Sequence, residues 1–236
     1  MGSSKKSQIE SLLVSTENWQ RARKPEQKQQ RQAAITQAAR HLVDTGGVEN
    51  ATLSEIARQA GIAKASCYRY YESREAILLD VFLQEVQDHT KFVTDALTPL
   101  AGSKDIAAIT QVIVKSTLSR PRMLKLVSAL WSVLEHNISE SLITDFKRQF
   151  HSLSSDWANI ISQVHPNLSL QQAQAFTTYH LLFLASAWQA SNPPPAVKAV
   201  MQRAEFCDSR IEFEPLLENH TETLLRGMLA ERKLVD

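Results

Sequence analysis

Between Gly61 and Ala76 the chain reads GIAKASCYRYYESREA. Lys64 and Arg69 are cations able to neutralise phosphates. Ser66, Tyr68 and Tyr70 offer hydroxyls to phosphate oxygens or base edges. Ala65 is small enough to let backbone approach a groove wall or a thymine methyl. Inward-facing candidates are few: Ile62, Cys67 and Tyr71. A helix so rich in donors and so poor in core residues suits the DNA major groove, which is ~12 Å wide and admits one helix. The plain alternative is a solvated face on a small bundle, which leaves three tyrosines in water without a purpose.

Catalytic chemistry has no comparable set of residues. The seven histidines show no H-x-x-x-H or similar ligand spacing, and there is no cysteine cluster, phosphate-cradling glycine loop or nucleophile elbow. No enzyme, metal or other cofactor is therefore expected. Two cysteines, Cys67 and Cys207, are too few for a disulfide framework and fit a reducing cytoplasm. Cys67 within the donor-rich stretch raises a thiol switch as a rival reading. A small core residue is the competing one, since no cationic cluster surrounds it in sequence. No apolar run approaches the ~20 residues of a membrane span, and the first thirty residues carry no secretion signal. A cytoplasmic protein without membrane contact is expected.

Net charge is +1 over 236 residues, unevenly spread. Residues 1–75 hold twelve Lys and Arg against eight Asp and Glu, whereas the rest holds fourteen against seventeen. A polyanionic partner would prefer the N-terminal third.

The elements that must position the donors are all helical, because apolar residues recur at three and four almost throughout. Residues 1–24 read as a basic, flexible arm carrying Lys5, Lys6, Arg21, Arg23 and Lys24. A helix is expected from about Glu26 to Thr45, ended by Gly46. Thr52 and Glu55 have capping-box spacing at the head of a short helix that buries Leu53, Ile56, Ala57 and Ala60. Gly61 stops it, and the donor-bearing helix follows over about Lys64 to Tyr71. Two short helices joined by a tight glycine turn make a helix-turn-helix. Ser73 then caps a long helix with Ile77, Val81, Phe82, Val86, Val93 and Leu97 in step. Further helices are expected around Ile106–Ile113, from Pro121 through Trp131 to Leu134, over Leu142–Val164, from Ser169 to Ser191, and over about Phe213 to Arg232.

With these residues in place the stretch ATLSEIARQAGIAKASCYRYYESREAILLDVF resembles the DNA-binding domain of the tetracycline-repressor (TetR) family of bacterial transcription regulators. Thr52, Ile56, Ala57, Ala60, Gly61, Ile62, Lys64, Tyr68, Tyr70, Ser73, Glu75 and Ile77 carry the likeness, over about fifty residues. The resemblance implies residues 25–73 as a DNA-binding domain and residues 74–236 as a helical regulatory and dimerisation domain. It implies phosphate contacts at Thr52, Lys64, Tyr68 and Arg74, and base reading by Ala65, Ser66, Arg69 and Tyr70. The sequence departs from the family at Ala63, where a serine cap is usual, and at Cys67 and Tyr71, where leucine and phenylalanine are. The Tyr71 hydroxyl therefore needs a partner.

The function implied is a repressor that binds a palindromic operator in double-stranded DNA as a homodimer and is released by a small, largely apolar or aromatic effector. A non-specific architectural DNA binder is the other DNA-binding reading. The last two long helices would form the dimer interface, with Phe176, His180, Phe183, Leu217, Leu224 and Met228. The remaining helices would enclose the effector, with Trp131, His136, Phe150, Trp157, Tyr179 and Trp188 as lining candidates.

Overall fold

The computed structural model describes the backbone of residues 3–230 and the side chains of residues 26–206 and 208–230. The side chains of the expected basic arm at residues 1–24 lie outside the described residues. Those described form helices and no strand. In order they are α1 (Ser3–Asn50), α2 (Leu53–Gln59), α3 (Lys64–Cys67), α4 (Arg74–Leu97), α5 (Ile106–Leu118), α6 (Pro121–Ser128), α7 (Glu140–Val164), α8 (Leu170–Ser191), α9 (Pro195–Met201) and α10 (Phe213–Ala230).

Local chemistry sets most boundaries. The Thr52, Ser73, Ser139 and Ser169 hydroxyls each accept a backbone N–H in the first turn of α2, α4, α7 and α8. Gln172 completes a capping box on α8 by accepting from the Ser169 amide at 3.0 Å. Pro121 opens α6, where its missing N–H is harmless. α8 stops at Ser191, ahead of three consecutive prolines. The break in α1 falls at Gly47 (φ 79°, ψ 176°), one residue past the expected Gly46. Gly46 stays helical, and its carbonyl accepts from Asn50 Nδ2 at 2.8 Å.

α6 is shorter than the periodicity predicts. After Ser128 the chain makes a wide π-type turn over Leu130–Leu134. The extra residue in that turn rotates the register. Leu130 and Leu134 stay buried, while Trp131 swings out to 42 % exposure.

Two apolar clusters hold the helices together. One joins α1, α2, α4, α6 and α7 through Ile35, Ile56, Ile77, Phe82, Leu124 and Phe146. The other joins α4, α5, α7, α8 and α10 through Leu97, Ile113, Trp157, Phe176 and Leu225. α4 serves both; at 24 residues it is ~36 Å long.

Candidate nucleic-acid interface and internal cavity

α2 and α3 are set by one turn. The Gly61 amide donates to the Arg58 carbonyl and the Ile62 amide to the Ala57 carbonyl, a Schellman closure. Gly61 has φ 66°, which a side chain would resist. Ile56 and Ala57 bury one face of α2, and Cys67 buries the inner face of α3. Lys64 and Ala65 on α3, and Tyr68 and Arg69 in the turn that follows it, are all exposed, with Tyr68 at 58 %. Lys64 and Arg69 form no ion pair among the described residues. The stretch thus offers two unneutralised cations, a phenol and a small residue.

The other candidates divide. Thr52 is exposed, and its hydroxyl already accepts from the Glu55 amide at 3.2 Å. Ser66 is half-buried. Tyr70 is half-buried and packs towards α1, beside a cleft shared with Lys28 and Arg31. Tyr71 finds the partner its hydroxyl needs, donating to Asp80 Oδ2 at 2.5 Å. Burial, and then Asp80, push its phenol pKa up. Only Tyr68 of the three tyrosines stands in water. α3 itself ends at Cys67, short of the expected Tyr71, and Ala63 provides no side-chain cap.

Arg74 does not face outward as expected. Its guanidinium donates to the Ala51 carbonyl at 2.8 Å and the Val48 carbonyl at 2.5 Å, and pairs with Glu75 at 3.2 Å. Those carbonyls lie in the last turn of α1 and just past its end at Asn50, where the helix has no further amides to satisfy them. Arg74 is a tie between α4 and the end of α1. Cys67 is fully buried, and burial raises its thiol pKa, which disfavours the reactive thiolate.

In the larger helical part a cavity of about 70 Å³ lies between α4, α6, α7 and α8. Its walls are mostly apolar, with Phe82, Met123, Phe150 and Leu184 among them. Of the expected lining residues it takes Phe150 and Trp157. The other four lie elsewhere. Trp131 is turned out by the π-type turn, and His136 Nε2 is 3.2 Å from the Trp131 carbonyl oxygen on the surface. Tyr179 is 53 % exposed, and Trp188 packs edge-on against Phe213. Sequence reasoning missed His89, Thr90 and, as a cavity residue, His180. One signal was available: His180 falls in the buried stripe Ala173, Phe176, His180, Leu184, Ala187 of α8.

Residues 35–81 match the model of bacterial regulatory proteins of the tetR family, and residues 83–232 match the tetracyclin repressor-like C-terminal domain. The chain belongs to the TetR family. The HTH-type transcriptional regulator BetI of Agrobacterium fabrum is 29 % identical over 92 residues, 39 % of this chain and 45 % of that one. The fatty acid metabolism regulator protein of Bacillus subtilis is 26 % identical over 83 residues, 35 % of this chain and 43 % of that one. The chain thus spans less than half the length of either relative. A transcriptional regulator from Rhodococcus sp. Rha1 shares the fold, with a TM-score of 0.53 at 14 % identity over 83 % of this chain and 96 % of that one. No described helix is long and apolar enough to cross a membrane.

In this TetR-family chain the expected dimer residues are mostly internal to the subunit. Phe176 and Leu217 are fully buried, and His180 and Met228 nearly so. Phe183 and Leu224 remain half-exposed, and Phe183 stacks on His220 with centroids 3.7 Å apart. The outer faces of α8 and α10 instead present Tyr179, Leu182, Phe183, Leu216 and Leu224.

Proposed function

We propose that this chain is a DNA-binding transcriptional regulator, a repressor that grips a palindromic operator as a homodimer and lets go when a small molecule enters the cavity. Residues 25–73 form the reading head and residues 74–236 the regulatory part. The observation that carries the reading is that Lys64 and Ala65 of α3 and Tyr68 and Arg69 of the turn after it all stand exposed, while Cys67 between them is buried. Lys64 and Tyr68, with Thr52, hold phosphates, while Arg69 and Ala65 meet base edges and Ser66 and Tyr70 flank them. The dimer forms across Tyr179, Leu182 and Phe183 of α8 and Leu216 and Leu224 of α10, an apolar outer stripe. The cavity wall includes Met123 and Val127 of α6, and α6 also grips the end of α1, so a wall displaced by ligand moves the reading head.

The test is selection of bound fragments from random DNA, followed by footprinting at fixed salt. Two protected half-sites related by a dyad, bound ~10³-fold or more tighter than random DNA, are expected. Equal affinity for all sequences would leave an architectural binder instead.

A further inference from the structure

The cavity is apolar, yet residues that line it carry polar atoms that nothing among the described residues satisfies. His89 Nε2, Thr90 Oγ1, Trp157 Nε1 and both ring nitrogens of His180 are buried without a hydrogen-bond partner. All four residues line the cavity, and each is more than nine-tenths buried. Buried polar groups are normally paired, and an unmade bond in such a place is costly. Arg40 Nε, Thr110 Oγ1 and His220 Nε2 also lack a hydrogen-bond partner, yet four of the seven such residues among those described gather from α4, α7 and α8 around one space, which marks it as a recognition surface.

Their chemistry is specific. Trp157 Nε1 can only donate, the Thr90 hydroxyl can do both, and a neutral His180 has one donor and one acceptor nitrogen. The indole of Trp157 lies nearly parallel to the rings of His180, at 14° and 5.7 Å, and of Phe176, at 5° and 5.7 Å. No lysine, arginine, aspartate or glutamate lines the cavity among the described residues. Burial holds His89 and His180 neutral, aided at His89 by the charge of nearby Arg120, so an ionised head group would find no charged partner on the cavity wall itself. The space of about 70 Å³ is smaller than the ~150 Å³ of an apolar cavity that holds benzene, so a ring must push the walls apart.

Resting on the reading of this cavity as the effector site, we infer that the effector is an uncharged, largely apolar ring compound bearing a hydroxyl or carbonyl group, which Trp157, His180 and Thr90 hydrogen-bond. The polar group fixes orientation, and the apolar body supplies the displacement of α6.

Titration calorimetry with 2-naphthol, 2-methylnaphthalene and 2-naphthoate near neutral pH tests this. The three share a body and differ in carrying a hydroxyl, a methyl or an anion. 2-Naphthol should bind ~10-fold or more tighter than either of the others. Trp157→Phe, which keeps a ring and deletes the N–H, should remove most of that preference and leave 2-methylnaphthalene unchanged. His180→Phe should raise the thermal midpoint of the ligand-free protein, because it deletes two unpartnered nitrogens beside space able to take the larger ring. Equal affinity for naphthol and methylnaphthalene overturns the inference, as does tightest binding of naphthoate or no binding of any probe. A lower midpoint for His180→Phe also overturns it. A gel shift on the same preparations separates the two readings. Loss of the naphthol preference with DNA binding intact sinks this inference alone, whereas absence of DNA binding sinks the regulator reading and leaves the naphthol result standing.

Discussion

Arg122, on the first turn of α6, holds the Asp44 carboxylate near the end of α1 with two hydrogen bonds, Nε at 2.8 Å and Nη2 at 2.5 Å. Its Nη1 reaches buried Glu85 of α4 at 2.6 Å. Lys125, one turn on, donates to the Val43 and Asp44 carbonyls at 3.0 and 2.7 Å. The same short helix presents Met123 and Val127 to the cavity. α6 is therefore fastened on one side to the helix that carries the reading head and on the other to the proposed effector.

Replacing Arg122 by Gln should leave Glu85 with only Arg40, whose Nε lies 3.7 Å away. An under-paired buried carboxylate is destabilising, and with Arg122 partly exposed the loss should be about 2 kcal/mol. Urea unfolding measures it. Adding Glu85→Gln to that variant should cost much less than Glu85→Gln alone, the sign of direct coupling. Equal costs in both backgrounds would show that the pair carries no energy.

Stability should fall on acidification earlier than carboxylate titration alone predicts. Burial lowers the pKa of His89 to about 4 and of His180 to about 3, from 6.5. Both stay neutral in the folded state while the unfolded chain takes up protons below pH 6.5. Their contribution is present above that pH and is lost as pH falls through their folded values. Between roughly pH 6 and 4 each adds a slope of about 1.4 kcal/mol per pH unit. His180→Phe should remove about one proton's worth of that slope in unfolding curves taken across the range. An unchanged slope would mean that His180 is protonated in the folded protein.

Local signals were the legible part of the fold. Thr52, Ser73 and Ser169 cap their helices, because a cap needs only its own first turn, although Glu55 does not complete the box its spacing offered and instead pairs with Arg58. Gly61 likewise marks its turn. What sequence alone could not place depended on distant partners. The acceptors of Arg74 are carbonyls 23 and 26 residues earlier, left open where α1 ends at Asn50. The cavity draws its walls from four helices, so Tyr179 and His180, neighbours in sequence, end on different faces of α8 by its ~100° turn per residue. One inserted residue turns Trp131 outward, and periodicity does not register such an insertion.

Peroxide should leave DNA affinity unchanged. Cys67 is fully buried, with its thiol pKa raised by burial. Gel shifts before and after peroxide on wild type and Cys67→Ala should superimpose within each protein. A loss of binding confined to wild type would restore the thiol-switch reading.

Lys64 and Arg74 should separate cleanly, although a resemblance by sequence gives both to phosphate. Lys64→Met removes an exposed, unpaired cation. It should leave stability near wild type and flatten the salt dependence of DNA affinity by about 0.9 in log–log slope for each phosphate left unneutralised. Arg74→Gln breaks the charge-assisted bonds to Val48 and Ala51. It should cost about 2 kcal/mol in unfolding and leave the slope unchanged, because the guanidinium holds carbonyls rather than phosphate. Tyr68→Phe should behave like Lys64→Met in weakening all sequences alike, while Arg69→Ala relaxes preference at particular bases by ~1–3 kcal/mol. If Arg74→Gln flattens the salt slope as Lys64→Met does, the guanidinium leaves the α1 carbonyls for the duplex on binding, and its role as a fixed tie is wrong.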